Sequence, residues 1–246
     1  MNIFESIILG TVQGFTEFLP VSSSGHLVLV KQIFGVVTKG LLFETFLHAG
    51  TLLAILVYFW RDILKISKKT MILIIIGTLP AGVVGYFFSS QIEVLFSSVK
   101  LVGISLIITG ILNMFVDKVK AKKGDINLNS KKSFVVGLAQ AFAIIPGISR
   151  SGSTIFAGSM LGVGKKEIAK FSFLLSVPAV LGANALEIVN YSDSLRVDFV
   201  EYFFGFLFAF FSGLFAIRLV FKFLEEGKFK YFSYYCLLVG LFALLI

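Results

Sequence analysis

Two interrupted apolar stretches hold most of the residues in this chain that could do chemistry. The first places Gln13 and Glu17 four apart, hence on one face of a helix, ahead of Pro20 and the run Ser22-Ser23-Ser24-Gly25-His26. The second runs from Pro146 through Ser149, Arg150, Ser151, Ser153 and Thr154. An ionisable side chain in such surroundings is costly, which makes Glu17, His26 and Arg150 candidates for a functional site. Arg150 offers a planar, permanently charged fork that suits phosphate oxygens. A half-helix starting after each break adds unpaired N–H groups and a positive dipole end. Two such ends facing each other would hold a doubly phosphorylated group. Glu17 and His26 supply what binding alone does not require. One is a carboxylate able to orient an imidazole; the other is an imidazole able to exchange a proton or attack phosphorus.

Structural alternatives stand beside each of these readings. Ser22 and Ser24 could simply cap half-helices. Glu17 and Arg150 could form an ion pair between two halves of the chain, and His26 could be a satisfied interior histidine. His48 lies in an uninterrupted apolar segment and reads as structural. Trp60 with Tyr58 and Arg61 reads as an interfacial anchor. Asp117, Asp125, Glu225 and Glu226 fall in basic loops and read as solvated.

The elements that must position these residues follow from bulk composition. Of 246 residues, 57% are hydrophobic and 15% charged, too little polar surface for a soluble domain of this length. No strand-like alternation suggests a barrel, so the chain reads as an all-α polytopic membrane protein. The net charge of +8 falls between apolar segments, where it sets topology and meets anionic headgroups of membrane lipids, not nucleic acid. The single Cys236 excludes an internal disulfide and a cysteine-rich metal site. Met1 to Glu5 lacks the basic start of a signal peptide, so no removal is expected.

Six segments are long enough to span, at about 42–60, 70–90, 99–116, 167–190, 200–221 and 231–246. The broken stretches 2–36 and 133–163 have halves too short to span comfortably and read as re-entrant helix-loop-helix hairpins. Full double crossings are the alternative, which the charge pattern does not separate from them and the short halves disfavour. If each hairpin enters and leaves on one side, most basic residues share a face. These are Arg61, Lys65, Lys68 and Lys69; Lys118, Lys120, Lys122, Lys123, Lys131 and Lys132; Lys165, Lys166 and Lys170; and Arg218, Lys222, Lys228 and Lys230. Lys31, Lys39, Lys100 and Arg196 fall on the other. The positive-inside rule then puts the first hairpin on the outer side and the second on the cytoplasmic side. Gly10 to Phe15 also parallels Gly137 to Phe142, and three spans follow each hairpin. Three is odd, so the second copy is inverted. A single integral membrane domain results: repeat one at 1–116, a linking loop at 117–132 and repeat two at 133–246.

Gln13-Gly14-Phe15-Thr16-Glu17-Phe18-Leu19-Pro20-Val21-Ser22-Ser23-Ser24-Gly25-His26 resembles the first signature of the undecaprenyl-diphosphate phosphatase family, of the bacitracin-resistance type. Pro146-Gly147-Ile148-Ser149-Arg150-Ser151-Gly152-Ser153-Thr154 resembles the second, and Phe59-Trp60-Arg61 and Phe171 to Pro178 look like further family blocks. The resemblance covers essentially the whole chain. It implies hydrolysis of undecaprenyl diphosphate to undecaprenyl phosphate and inorganic phosphate in the cell membrane, recycling a carrier for cell-wall polymers. It also implies a divalent cation, Mg²⁺ or Ca²⁺, held mainly by Glu17 and substrate phosphates. Position by position, Glu17, His26 and Arg150 match the family's functional residues, with Ser23 and Ser149 in support. The family's first motif begins with Glu or Gln, and Gln13 is the neutral option, fit to orient phosphate or water. Gln13, Ser22, Ser24, Ser149, Ser151, Ser153 and Thr154 are the expected phosphate contacts. Glu17 is expected to hold the His26 ring, so that His26 activates Ser23 or is itself phosphorylated; direct attack by water is the third course. The pocket is expected to open outward, and a homo-oligomer stays open. The competing class is a lipid-phosphate carrier, since inverted repeats with broken helices also build transporters.

Overall fold

A computed structural model describes residues 1–38, 42–119, 128–190 and 199–246. Lys39, Lys120, Lys122, Lys123, Asp125 and Arg196 lie outside the described residues. Those described form twelve helices and no strand. They are α1 (Ile3–Phe18), α2 (Ser23–Phe34), α3 (Leu42–Tyr58), α4 (Trp60–Leu64), α5 (Lys68–Phe87) and α6 (Ser89–Leu95). Then follow α7 (Val99–Val116), α8 (Ser130–Phe142), α9 (Arg150–Met160), α10 (Lys165–Asn190), α11 (Phe199–Glu225) and α12 (Lys230–Leu245).

Four helices, α5, α7, α10 and α11, are long and apolar enough to cross a membrane. The other two expected spans are shorter, α3 with 17 residues and α12 with 16. At 1.5 Å per residue each reaches roughly 25 Å, below the roughly 30 Å of a hydrocarbon core. α3 stops there because the chain turns at Phe59 into the short α4. Ile72, Ile75, Leu79 and Val83 of α5, each more than half exposed, recur at helical spacing and leave an apolar stripe for lipid to cover. The protein is a multi-pass membrane protein.

Without a hydrophobic drive between helices in lipid, association depends on close backbone approach at small residues. A Cβ on Gly10 of α1 would lie 2.3 Å from the Gly205 carbonyl oxygen of α11. A Cβ on Gly137 of α8 would lie 2.4 Å from the Gly77 carbonyl oxygen of α5. α7 and α12 meet at Gly103 and Gly240, each glycine facing the other's carbonyl oxygen. Beneath the first hairpin, the fully buried Phe18 and Phe173 meet edge to face at 5.5 Å between ring centres, and Phe59 and Phe221 extend this apolar floor.

Ion pairs gather several helix ends at one end of the molecule. Asp62 pairs with Lys170 at 2.5 Å and Lys166 with Glu225 at 2.7 Å. Asp117, expected to be solvated, instead accepts the Lys230 backbone N–H at 2.9 Å and lies 3.7 Å from Lys165 Nζ. It sits where the ends of α7, α10 and α12 converge, so partners replace water. Glu226 pairs with Lys228, and the Arg61 guanidinium lies 5.4 Å over the Trp60 ring.

Candidate active site

Each break is a short loop ending in a serine cap. Leu19–Ser22 joins α1 to α2, and Ala143–Ser149 joins α8 to α9. Ser22 Oγ accepts the Gly25 N–H at 3.3 Å, and Ser149 Oγ accepts the Gly152 N–H at 3.1 Å. Capping is therefore real for Ser22 and Ser149. Ser24 Oγ lies 3.2 Å from Ser22 Oγ instead. Ser22 also has φ +70, the only non-glycine residue among those described with a positive φ. Such backbone persists where its surroundings over-determine it, commonly at functional sites.

The two loops touch and share a shelf. A Cβ on Gly25 would lie 3.0 Å from the Gly147 Cα. α7 presents Ser105, Thr109 and Asn113, all buried and spaced by four. Thr109 Oγ1 donates to the Gly147 carbonyl and accepts the Ser149 N–H, both at 2.9 Å. Asn113 Nδ2 donates to the Pro20 carbonyl at 2.6 Å, and Ser151 Oγ donates to the Leu19 carbonyl at 3.3 Å.

Gly147 makes this contact possible, with φ +91 and room for no side chain. An added Cβ would lie 2.6 Å from both Ser105 Cβ and the Val102 carbonyl oxygen. Gly147→Ala is expected to cost about 3 kcal/mol from backbone strain and overpacking together. That lowers the apparent Tm by on the order of 10 °C, measured by thermal unfolding in detergent. Gly82→Ala, where an added Cβ meets nothing within 4 Å, is the control and should unfold as the parent does.

Glu17 is the hub of the site. Its side chain is 9% exposed and that of Arg150 is 16%. Arg150 Nη2 donates to Glu17 Oε1 at 2.5 Å, joining the two hairpins. Ser23 Oγ donates to Glu17 Oε2 at 2.7 Å, and Gln13 Nε2 donates to the same oxygen at 3.0 Å. Arg150 Nη1 donates to the Ser172 carbonyl at 3.3 Å, while Thr154 Oγ1 lies 2.6 Å from Ser172 Oγ. Thr154 thus braces the helix that carries Arg150 and faces away from the hub. Ser153 Oγ is buried with no partner among the described residues.

His26 is not held by Glu17. Its Nδ1 lies 2.8 Å from the Ser22 carbonyl oxygen, four residues back, and its Nε2 lies 2.8 Å from the Tyr235 hydroxyl. The bond to the strained cap turns the ring toward α12. The imidazole beside Glu17 is instead His48 of α3, with Nε2 4.0 Å from Glu17 Oε2. His48 is therefore part of the site. Its signal was the same as that of Glu17, an ionisable residue at membrane depth. Thr109, Asn113 and Tyr235 are further site residues that motif reading missed, and Ser172 joins them from the Phe171 to Pro178 block, where no role was expected of it.

Helical crossings and a carboxylate, a hydroxyl and a guanidinium gathered at two buried helix breaks define a membrane protein built to act on an anionic group. The family model described as bacitracin resistance protein BacA matches residues 6–242. Proteins named undecaprenyl-diphosphatase from Halothermothrix orenii and Carboxydothermus hydrogenoformans are each 41% identical to this chain, covering 100% of it and 98% of their own length. One of the same name from Methanococcus vannielii is 40% identical, covering 98% of both. The chain belongs to the BacA family.

Proposed function

We propose that this protein is an undecaprenyl-diphosphate phosphatase, releasing undecaprenyl phosphate and inorganic phosphate and so recycling the lipid carrier for cell-wall polymers. Resistance to bacitracin follows from that activity. The observation that carries the reading is the Ser23–Glu17–Arg150 chain, in which one carboxylate joins a hydroxyl from the first hairpin to a guanidinium from the second. Carrying a phosphate needs the guanidinium; it does not need a hydroxyl hydrogen-bonded to a buried base.

The chain lies in the cell membrane as six spans with two re-entrant hairpins, forming one domain of two inverted repeats joined by 117–132. The glycine pairs support this arrangement. Gly10 and Gly137 hold matching places in the two hairpins, and each meets a glycine of a helix in the other half of the chain, Gly205 of α11 or Gly77 of α5. The helix ends gathered by the pairs of Asp62, Asp117 and Glu225 are those the positive-inside rule assigns to the cytoplasm. The pocket then opens to the outer face.

In the reaction, Arg150 and the first-turn N–H groups of α2 and α9 bind the diphosphate and neutralise charge on the transferring group. Ser24, Ser149 and Ser151 line the two loops that hold it. Ser23 Oγ attacks the terminal phosphorus, its proton passes to Glu17 Oε2, and the bond from phosphorus to the bridging oxygen breaks. Undecaprenyl phosphate leaves. Water then attacks the phosphoserine, and Glu17 returns the proton to Ser23 Oγ as inorganic phosphate departs. His26, three residues from Ser23, shares its helix face, and its Nε2 accepts from a phosphate oxygen that still carries a proton.

The same reading takes a divalent cation, Mg²⁺ or Ca²⁺. Gln13 Oε1 is buried with no partner among the described residues, and its amide nitrogen binds Glu17 Oε2. This amide and carboxylate pair fits a hard cation that takes its other ligands from phosphate and water. When bound, the cation supplies further neutralisation of the diphosphate.

Phosphate release from undecaprenyl diphosphate by purified protein in detergent tests the proposal. Release that a chelator stops and Ser23→Ala abolishes, with label from the terminal phosphate trapped on Ser23, is the expected result. Label on neither Ser23 nor His26 would transfer the attack to water. No release with any cation, despite tight lipid binding, would make the protein a carrier.

A further inference from the structure

Tyr235 lies on α12, more than 200 residues from the first hairpin, yet it occupies the reactive edge of His26. Tautomer logic shows why this matters. The Ser22 carbonyl can only accept, so His26 Nδ1 carries the ring proton. The neutral ring then has its lone pair on Nε2, and at 2.8 Å the Tyr235 hydroxyl donates to it. The two rings lie nearly parallel, 8° apart in tilt, with centres 5.5 Å apart. His26 is 7% exposed, whereas Tyr235 is 44% exposed and neighbours the half-exposed Tyr231 and Tyr234 on the same helix. A buried imidazole is thus covered, at its one free nitrogen, by a side chain with open space to withdraw into.

We propose that Tyr235 is a removable cap on His26, its hydroxyl holding the place at Nε2 that a P–OH group of the substrate's terminal phosphate, donating in its turn, takes when Tyr235 swings away. Tyr235 is a positioning residue in this scheme. It fixes the tautomer and the ring plane of His26 before substrate arrives, and keeps Nε2 from reacting with water-borne electrophiles meanwhile. No neighbour on α12 duplicates it, because Phe232, Ser233 and Cys236 are buried on the face turned toward α7 and the first loop. The inference rests on the phosphatase reading for the identity of the incoming group, but the capping of Nε2 is independent of it.

Diethyl pyrocarbonate, which acylates an unprotonated imidazole nitrogen, measures the cap directly. The chain has two histidines, so mass spectrometry follows His26 with His48 as internal reference. Tyr235→Phe keeps the ring stack and removes the hydroxyl. His26 in that variant is expected to react about fivefold faster, as for loss of one hydrogen bond of ordinary net strength. Farnesyl diphosphate should restore protection in both proteins. In steady state, KM for undecaprenyl diphosphate should fall several-fold with kcat little changed, since no cap need be displaced. Tyr235→Leu gives the same test should the Phe variant unfold. Equal modification rates in parent and both variants would overturn the cap. A fall in kcat with unchanged KM would also overturn it and make Tyr235 a proton relay. Full activity of His26→Asn would sink the catalytic role of His26 while leaving the modification result intact.

Discussion

Arg150→Lys is expected to lower phosphate release at least about 100-fold, the usual scale for losing one preorganised donor at a developing charge. The positive charge survives this change, so charge alone is not what is lost. The guanidinium divides its donors: Nη2 holds Glu17 Oε1, Nη1 holds the Ser172 carbonyl, and the rest of the fork remains for phosphate. A lysine ammonium is a compact point charge on a flexible stem. Drawn to Glu17, it leaves Ser172 without its donor and the phosphate without a planar partner. The measurement is kcat at saturating lipid, beside a thermal unfolding curve to show that the variant is folded. A lysine variant within threefold of the parent would reduce Arg150 to a counter-charge for Glu17.

What could be read in advance was whatever is local in the chain. Gln13 and Glu17 are one helical turn apart, and the structure bonds them across that turn. Pro20 and Pro146 mark loops because each stands beside a cluster of small polar residues that interrupts the apolar run, whereas the isolated Pro80 and Pro178 lie inside α5 and α10. The serine before each new helix caps it. The family was legible for the same reason, since both signatures are short contiguous runs. Glycines 10 and 137 were visible as parallel positions; that each meets another glycine far along the chain was not. Residues that reach the site from distant helices were also beyond motif reading. Asn113 pins a loop 93 residues before it, and no single sequence shows such a pairing. Yet Ser105, Thr109 and Asn113 repeat every four residues inside an apolar helix, a polar stripe that signals a buried face. His48 was passed over because its segment has no break, although cost at membrane depth does not depend on a break. The expected Glu17–His26 contact failed on a local detail of another kind. Nδ1 of a histidine in the first turn can reach the cap carbonyl four residues back, and at Ser22 it does.

Whether Glu17 and Arg150 are machinery or merely a brace between hairpins is decided by taking them away in order. Glu17→Gln keeps the shape of the side chain and a carbonyl oxygen for Ser23, but leaves the Arg150 charge buried without its partner. Breaking a buried pair from one side costs about 3–5 kcal/mol, which for a chain of this length lowers Tm by on the order of 10 °C. Removing both charges in Glu17→Gln/Arg150→Gln replaces an unpaired ion with two amides that can bond each other, so much of the lost Tm should return. Phosphate release should not return. The base for Ser23 and the fork for phosphate are both gone, and each should be missed at the chemical step. Stability and activity therefore separate in the double variant if the pair is catalytic. They would recover together if the pair were only a brace, and Glu17→Gln assayed well below its own Tm would then already be active. The second pattern would leave Ser23 without a base and shift the search for one to His48, the remaining imidazole within 4.0 Å of that carboxylate.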